Sequence, residues 1–446
     1  MNEAVNEAPG FWPITVPIFF DNFMRMLVVV LSYWVVSRIS DAMAAVIGVT
    51  NAFLLIGFGL AECLAQSSGI IIAQLLGAKK EETLSQAYVS AIGVNLVFGI
   101  AMSCLFVFFS TPLLSAFSFP DSLLSDASRY LCIVASGFFV YSLNYSLMSI
   151  LNANGLTRVT MWNSFISNGL TLFLGYMIVL NPFGLNYNKL TFLALSHLIV
   201  RLLSFGYLSW MTKCGVQHFV FYRRFSKGML QKQVQVFLRI GIPNSFEPLS
   251  YHFFQLVLLK IVAIISLNAL STRSYIISLA ALMETGAFAV AKGSQIVMGH
   301  LIGAGKMQQA KEQLNKSLFW ALGITLLITW IGLLFRSDIM CFFSKNHSIV
   351  AVGSQLLFLV AAIALMRAIS YSLSSGLKAS GDVKYCVGVV TLTMWLITIP
   401  GSFFLIKFFG MDLRGIWIMF GFEEMVRILM FYRRWRSEKW QHYSVV

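Results

Sequence analysis

The sequence has 446 residues, of which 58% are hydrophobic and only 11% are charged, and its formal net charge is +14. Soluble domains do not reach this hydrophobic fraction, so the composition excludes a soluble globular protein and predicts a polytopic membrane protein. Lysine and arginine in cytoplasmic loops and their attraction to anionic lipid account for the positive charge, so we expect no nucleic-acid partner.

Apolar stretches of about 20 residues or more follow one another along the chain, each long enough to cross about 30 Å of hydrocarbon as a helix. Runs such as LLFLVAAIAL are apolar on every side, whereas the strands of a transmembrane barrel alternate apolar and polar residues. We therefore predict an all-α membrane protein with twelve transmembrane helices. Their predicted ranges are 11–37, 43–74, 87–110, 127–152, 159–181, 190–212, 236–266, 275–302, 317–336, 349–377, 385–408 and 413–432.

The first span contains a charge pair. Asp21 follows Pro17 by four residues and precedes Arg25 by four, inside a run that is otherwise almost wholly apolar. A lone ionisable group at membrane depth costs roughly 2.5–3.5 kcal/mol on insertion scales, so it should face a cavity or a partner. Two interpretations stay open: Asp21 is a titrating group that couples ion movement to transport, or it forms an ion pair with Arg25 on one helix face.

An internal repeat organises the chain at an offset of 226 residues. YSLMSILNANG at 145–155 and YSLSSGLKASG at 371–381 share seven of eleven residues, and AQSSGIIIAQLLGAKK at 65–80 has its counterpart AKGSQIVMGHLIGAGK at 291–306. The same offset pairs Pro17 with Pro243 and Asp21 with Glu247. Each half therefore contains a proline followed four residues later by a carboxylate, so Glu247 is a second candidate titrating group.

Six spans in each half return the chain to the same side of the membrane, so the two repeats are parallel. We predict two six-helix lobes, residues 1–212 and 236–446, joined by a basic cytoplasmic linker at 213–235 and related by a pseudo-twofold axis along the membrane normal. Such bundles place a cavity between the lobes that opens alternately to either side of the membrane. This organisation predicts transport.

The distribution of positive charge predicts the orientation. Loops on the side of the C-terminus carry 17 lysines and arginines, against about eight on the other side, so both termini are expected in the cytoplasm. The six cysteines and six histidines are dispersed without metal-ligand spacing, and the sequence has no nucleotide-binding fingerprint. We therefore expect no enzyme activity, no metal site and no cofactor other than a coupling proton or sodium ion.

Three corner motifs carry a family resemblance. IIIAQLLGAKKEE closing the second span, IVMGHLIGAGKMQQA closing the eighth and SGLKASGDVK after the tenth resemble the multidrug and toxic compound extrusion (MATE) family, within the wider group of multidrug, oligosaccharidyl-lipid and polysaccharide exporters. The resemblance covers nearly the full chain. It implies efflux of amphipathic organic cations in exchange for protons or sodium, and a monomer. The absence of targeting extensions and of long extramembrane domains favours the bacterial inner (plasma) membrane as the expected location.

The chain departs from this family at the usual cation-coupling positions. Ser32, Tyr251 and Arg367 stand where the resemblance places acidic residues in the first, seventh and tenth spans, and only a family asparagine in the fifth span is matched, by Asn168. The ion-coupling candidates are therefore Asp21, Glu247 and Asn168.

Further intramembrane side chains are candidates for the wall of a substrate cavity. Tyrosine and tryptophan could line a cavity for organic cations, or could be interface anchors near helix ends. Arg367 has no acid in its own span, and we expect its partner to be Asp21 or Glu247. The cavity candidates are Arg25, Tyr33, Trp34, Tyr145, Glu284, Arg367 and Tyr371.

Two functions are compatible with these residues. The first is a secondary active exporter of small amphipathic compounds or organic cations, driven by proton or sodium antiport. The alternative is a flippase for a lipid-linked glycan or another anionic lipid, which the inward cations Arg25, Arg201 and Arg367 would favour. The expected partners are a small-molecule substrate and membrane lipid.

Overall fold

The computed structural model describes residues 9–37, 41–116, 121–180, 188–216, 227–344 and 346–443, and these residues are helical almost throughout, with no strand among them. A π-helical turn, Met394–Thr398, joins α14 to α15, and a 3₁₀ turn, Lys439–Tyr443, follows α16. The helices of the described residues are α1 Phe11–Ser37, α2 Asp41–Gly77, α3 Glu81–Phe108, α4 Ser110–Ala116, α5 Asp121–Ser136, α6 Phe138–Ala153, α7 Thr157–Leu180, α8 Lys189–Gly215, α9 Lys227–Ile265, α10 Leu267–Gly303, α11 Met307–Leu334, α12 Arg336–Phe343, α13 His347–Ala379, α14 Val383–Thr393, α15 Ile399–Phe409 and α16 Leu413–Arg436.

The helices confirm the prediction of an all-α membrane protein with twelve spans. Nine helices in the described ranges are long and apolar enough to cross a membrane, and α5 with α6 makes a tenth span that bends by 42° at Gly137. The remaining two spans are α1 and α16, with 27 and 24 residues, and both contain charged side chains at mid-length. At 1.5 Å per residue each of them is still longer than the roughly 30 Å of the hydrocarbon layer.

The outer faces of the helices carry large apolar side chains that the protein does not bury. Phe108 is 76% exposed, Ile264 74% and Phe342 86%. A soluble protein would expose few such residues in contiguous patches, whereas a membrane helix presents them to lipid while its backbone groups are satisfied within the helix. The surface therefore agrees with the composition.

The internal repeat appears in the backbone of the turns that follow α2, α6, α10 and α13. Lys79 and Gly305, which are 226 residues apart, have φ of +55° and +73°, and Gly155 and Gly381, at the same offset, have φ of +79° and +97°. After the first of these pairs, the amide of Lys80 donates to the carbonyl of Leu75, and the amide of Lys306 donates to that of Leu301. Both helices therefore end in the same left-handed cap.

The described residues pack into two compact units. The first unit comprises Val16–Ser245, and its core is a cluster of apolar side chains from α2, α3, α5, α6 and α8, including Leu54, Phe106 and Phe138. The second unit comprises Phe246–Val446 together with the described residues up to Thr15, and its core draws on α9, α10, α13 and α16. Each unit thus has its own buried core.

Candidate functional site

A cavity of about 280 Å³ lies inside the first unit, among α1, α2, α5, α6, α7 and α8. Close helix packing helps to position its wall: a Cβ atom at Gly99 of α3 would lie 2.6 Å from the Cα atom of Phe139, so the glycine lets α6 approach. The same helix α6 presents Tyr141 and Tyr145 to the cavity. Aromatic rings and polar groups are therefore held at fixed positions by the packing of the unit.

The first predicted pair is formed within α1. An Arg25 Nη2 atom donates to Asp21 Oδ2 at 3.1 Å, and Nη1 lies 3.5 Å from the hydroxyl oxygen of Tyr145 on α6. Arg25 and Tyr145 line the cavity, whereas Asp21 is buried behind Arg25 and is not part of the lining. The structure thus contains the ion pair that the spacing of four residues made possible.

A second arginine lines the same cavity. The guanidinium carbon of Arg201 on α8 lies 4.3 Å from the ring centroid of Tyr141. The side-chain amide of Asn144 donates to the backbone carbonyl of Arg201 at 3.1 Å, which holds α6 against α8. Sequence reasoning named Arg201 as an inward cation but could not predict that it shares a cavity with Arg25.

Amides and hydroxyls complete the polar part of the wall. Asn168 is buried and lines the cavity together with Asn163, whose side-chain oxygen accepts from Ser204 at 2.9 Å. Tyr33 and Trp34, the other candidates from the first span, have side chains outside the described residues. The cavity therefore brings together Arg25, Tyr145 and Asn168 from the predicted candidates.

The other cavity candidates form a charge network in the second unit. Arg367 on α13 donates to Glu284 on α10 at 2.7 Å and to Glu424 on α16 at 3.3 Å, and the hydroxyl of Tyr371 donates to Glu284 at 3.0 Å. The expectation that Arg367 pairs with Asp21 or Glu247 is wrong, because its carboxylate partners lie on α10 and α16. We call the side chains of Glu284, Arg367, Glu423, Glu424 and Arg427 the buried charge network.

The network continues along α16. Arg427 pairs with Glu423, at the spacing of four residues, and with Glu424 at 2.9 Å. Thr398 in the π-helical turn donates to Glu423 at 2.6 Å. Glu423 and Glu424 are almost completely buried, and the Oε2 atom of Glu424 has no hydrogen-bond partner among the described residues. Three carboxylates thus face two guanidiniums in the interior of the unit.

The second predicted carboxylate, Glu247, has a partner that the sequence did not indicate. Lys378 near the end of α13 donates to Glu247 on α9 at 2.7 Å, and both side chains are largely buried. The two residues are 131 positions apart, so a search for basic residues one helical turn away could not find this pair. Each of the two predicted acids therefore lies beside a cation.

These features define a polytopic membrane protein with an internal cavity for a small molecule. The family model MatE matches residues 17–177 and again residues 243–404, so the second match begins at the offset of the internal repeat. Together the two matches cover more than half of the chain. The chain belongs to the multidrug and toxic compound extrusion (MATE) family, and members of this family are transporters.

Two curated relatives are similar along nearly their whole length. YisQ from Bacillus subtilis (strain 168), described as an uncharacterized transporter, is 29% identical over 441 residues, which cover 99% of this chain and 96% of that protein. A probable multidrug resistance protein, NorM from Thermotoga maritima, is 20% identical over 451 residues, covering 97% and 93%. Both relatives carry the name of a transporter or of a resistance protein.

Solved structures have the same fold. A crystal structure of MATE in the bent conformation matches all of both chains with a TM-score of 0.90 and 17% identity. A transporter of the MOP superfamily from Pyrococcus furiosus, described as having a binding pocket of reverse polarity, matches 98% of both chains with a TM-score of 0.86 and 17% identity. These comparisons give no support to a lipid flippase.

Proposed function

We propose that the chain is a secondary active exporter of a small amphipathic compound, driven by entry of protons or sodium, with alternating access of its cavity to the two sides of the membrane. The cavity in the first unit carries this proposal. It combines aromatic and aliphatic side chains with a few fixed polar groups, which is the composition that a small amphipathic ligand requires. The multidrug resistance relatives support the same function.

The buried charge network is a further candidate for ion coupling, beside Asp21, Glu247 and Asn168. With every member ionised it carries one excess negative charge, and Glu424 Oε2 is an acceptor without a donor among the described residues. Burial disfavours an unbalanced carboxylate, so such a network binds a proton or cation while it is closed and releases it when water enters.

The proposal includes a location and an orientation. We place the chain in a bacterial plasma membrane as a monomer with both termini in the cytoplasm. The excess of lysine and arginine in the loops on the side of the C-terminus supports this orientation.

Transport by the purified protein in proteoliposomes tests the function. Internal fluorescent compounds of three kinds, one cationic, one anionic and one neutral, are followed under an imposed proton gradient, an imposed sodium gradient and no gradient. We expect one gradient to drive efflux of at least one compound. A protein that is folded and inserted but moves none of the compounds under either gradient is not this exporter.

Carboxamide variants then locate the coupling group. Asp21→Asn, Glu247→Gln and Glu424→Gln are compared with Glu438→Gln, which alters a carboxylate outside the membrane. We expect at least one of the three intramembrane variants to lose gradient-driven efflux while it still exchanges internal for external compound. The control should behave as the parent does. Normal gradient-driven efflux in all three variants would exclude these carboxylates from coupling.

A further inference from the structure

The charged groups that line the cavity have one sign. Among the described lining residues, the ionisable groups are the guanidiniums of Arg25 and Arg201, His197 and three tyrosine hydroxyls, and none is a carboxylate. Two neighbouring acids are not part of the described lining: Asp21 pairs with Arg25, and Glu62 on α2 accepts a hydrogen bond from Gln66. The wall that a ligand meets is therefore cationic.

The positive charge of Arg201 is less compensated by nearby acids than that of Arg25. Arg25 has Asp21 within 3.1 Å, but Arg201 has no carboxylate at ion-pair distance among the described residues, and its described contact is with the face of Tyr141. A charge at membrane depth costs free energy unless a partner compensates it. A cation held against a cavity without an acid is therefore a site for a ligand that supplies the negative charge.

The aromatic faces of the cavity are already used by these cations. Arg25 lies 5.6 Å from the ring centroid of Tyr145, and the rings of Tyr145 and Tyr141 are 5.2 Å apart. Tyr141 in turn stacks on Phe58 with a centroid distance of 3.9 Å. An organic cation would need these ring faces for cation–π contacts and would meet two guanidiniums there. A flat apolar group can instead pack along the edges of the stack.

The geometry points to an amphipathic organic anion as the substrate. Its acidic group, a carboxylate or sulfonate, binds the guanidiniums of Arg201 and Arg25, and its apolar body lies against Phe58, Tyr141 and Tyr145. The planar donor fork of arginine matches such oxyanions. A cavity of about 280 Å³ is of the size that holds a small molecule. This inference rests on the proposed function, because it names the substrate of the proposed exporter.

Binding of two dyes that share a xanthene scaffold tests the charge preference without transport. Fluorescein is an anion and rhodamine 123 is a cation, and fluorescence anisotropy measures the binding of each to the purified protein in detergent. The variants are Arg201→Gln and Arg201→Lys. The matched control is Arg336→Gln, because Arg336 lies 4.9 Å from the ring centroid of Phe358 in the second unit, outside the cavity.

We expect the parent to bind fluorescein at least tenfold more tightly than rhodamine 123. Arg201→Gln should weaken fluorescein binding at least tenfold, Arg201→Lys should recover part of that loss, and Arg336→Gln should change nothing. Tighter binding of rhodamine 123 by the parent would overturn the inference. So would fluorescein binding within twofold of the parent in a folded Arg201→Gln variant.

Failure of this inference and failure of the proposed function give different results. Gradient-driven efflux of rhodamine 123 with no binding of fluorescein would leave an exporter but not an anion site. Binding of fluorescein that depends on Arg201, with no transport of any compound in proteoliposomes, would leave an anion site but not an exporter.

Discussion

Arg367 on α13 lies 2.7 Å from Glu284 on α10, although the two residues are 83 positions apart and Arg367 stands where the family resemblance places an acid. Its other carboxylate partner, Glu424, comes from α16. One arginine thus joins three helices of the second unit. Removal of one member of a buried ion pair leaves an uncompensated charge, so loss of this arginine alone should destabilise the unit.

Replacement of Arg367 by methionine should therefore destabilise the protein, by about 3–5 kcal/mol, because Glu284 and Glu424 lose their shared cation. The double variant Arg367→Met with Glu284→Leu should recover much of this loss, since Glu424 keeps Arg427 and no acid remains alone on α10. Apparent unfolding temperatures in detergent measure both effects. Arg336→Met, in which no described carboxylate loses a partner, is the control, and a double variant no more stable than Arg367→Met would contradict the prediction.

Lys79 and Gly305 stand at equivalent turns of the two halves, and giving each position the other's residue should change the stability of the protein in opposite directions. Lys79 has a left-handed φ of +55° where the equivalent residue of the second half is Gly305, and that conformation costs an L-residue roughly 1–2 kcal/mol. Lys79→Gly should therefore stabilise the protein by about 1 kcal/mol and Gly305→Lys should destabilise it by a similar amount. Thermal unfolding checks both variants.

The adjacent residue provides the control for this pair. Lys80 has φ of −88°, which any residue adopts, so Lys80→Gly should not stabilise the protein. Equal stabilisation by glycine at both positions would show that the left-handed backbone is not the cause.

Variants of the ion pair of Glu247 and Lys378 distinguish a coupling role of Glu247 from a structural role. If Glu247 is a titrating group, Glu247→Gln should lose gradient-driven efflux, and the exchanged pair Glu247→Lys with Lys378→Glu should not restore it, because the carboxylate now lies on α13. We expect that result. Efflux restored by the exchanged pair, measured in proteoliposomes with equal amounts of inserted protein, would assign the pair a structural role only.

The contact of Glu438 with Lys311 should be sensitive to acid. Glu438 lies after α16, outside the membrane, and the hydrogen bond from Lys311 lowers the pKa of its carboxyl below the ordinary value of 4.5. A lowered pKa in the folded state means that the contact is fully formed above pH 4.5 and is lost as the pH falls through the lowered pKa.

Hydrogen exchange of residues 437–443 measures this loss. At pH 7 the segment should exchange more slowly in the parent than in Glu438→Gln, and the difference between the two proteins, compared at the same pH, should shrink as the pH falls below 4.5. Equal exchange in the two proteins at pH 7 would show that the carboxylate does not hold the segment.

Periodicity and repeats predicted the fold better than the site. The twelve spans and the contact of Asp21 with Arg25 depend on local sequence, because hydrophobic length and a spacing of four residues act within one helix. The offset of 226 residues follows directly from comparing the sequences of the two halves. The contacts of Arg367 and of Glu247 join helices far apart in sequence, and no single-helix rule contains that information. Arg201 was identified as an inward cation, but its place beside Tyr141 depends on how α6 packs against α8.

The charges of α16 also bear on how the protein is made. Glu423, Glu424 and Arg427 make this helix a poor substrate for the translocon, since each charge opposes partition into lipid. Arg427 balances one acid within the helix, and Arg367 on α13 supplies the other positive charge. During synthesis the ribosome completes α13 before α16, so the compensating arginine is already in the bilayer when the last helix arrives. A fusion that presents α16 alone should fail to insert, whereas one that includes α13 should insert it more efficiently. The order of the helices along the chain thus matches the order in which lipid can accept their charges.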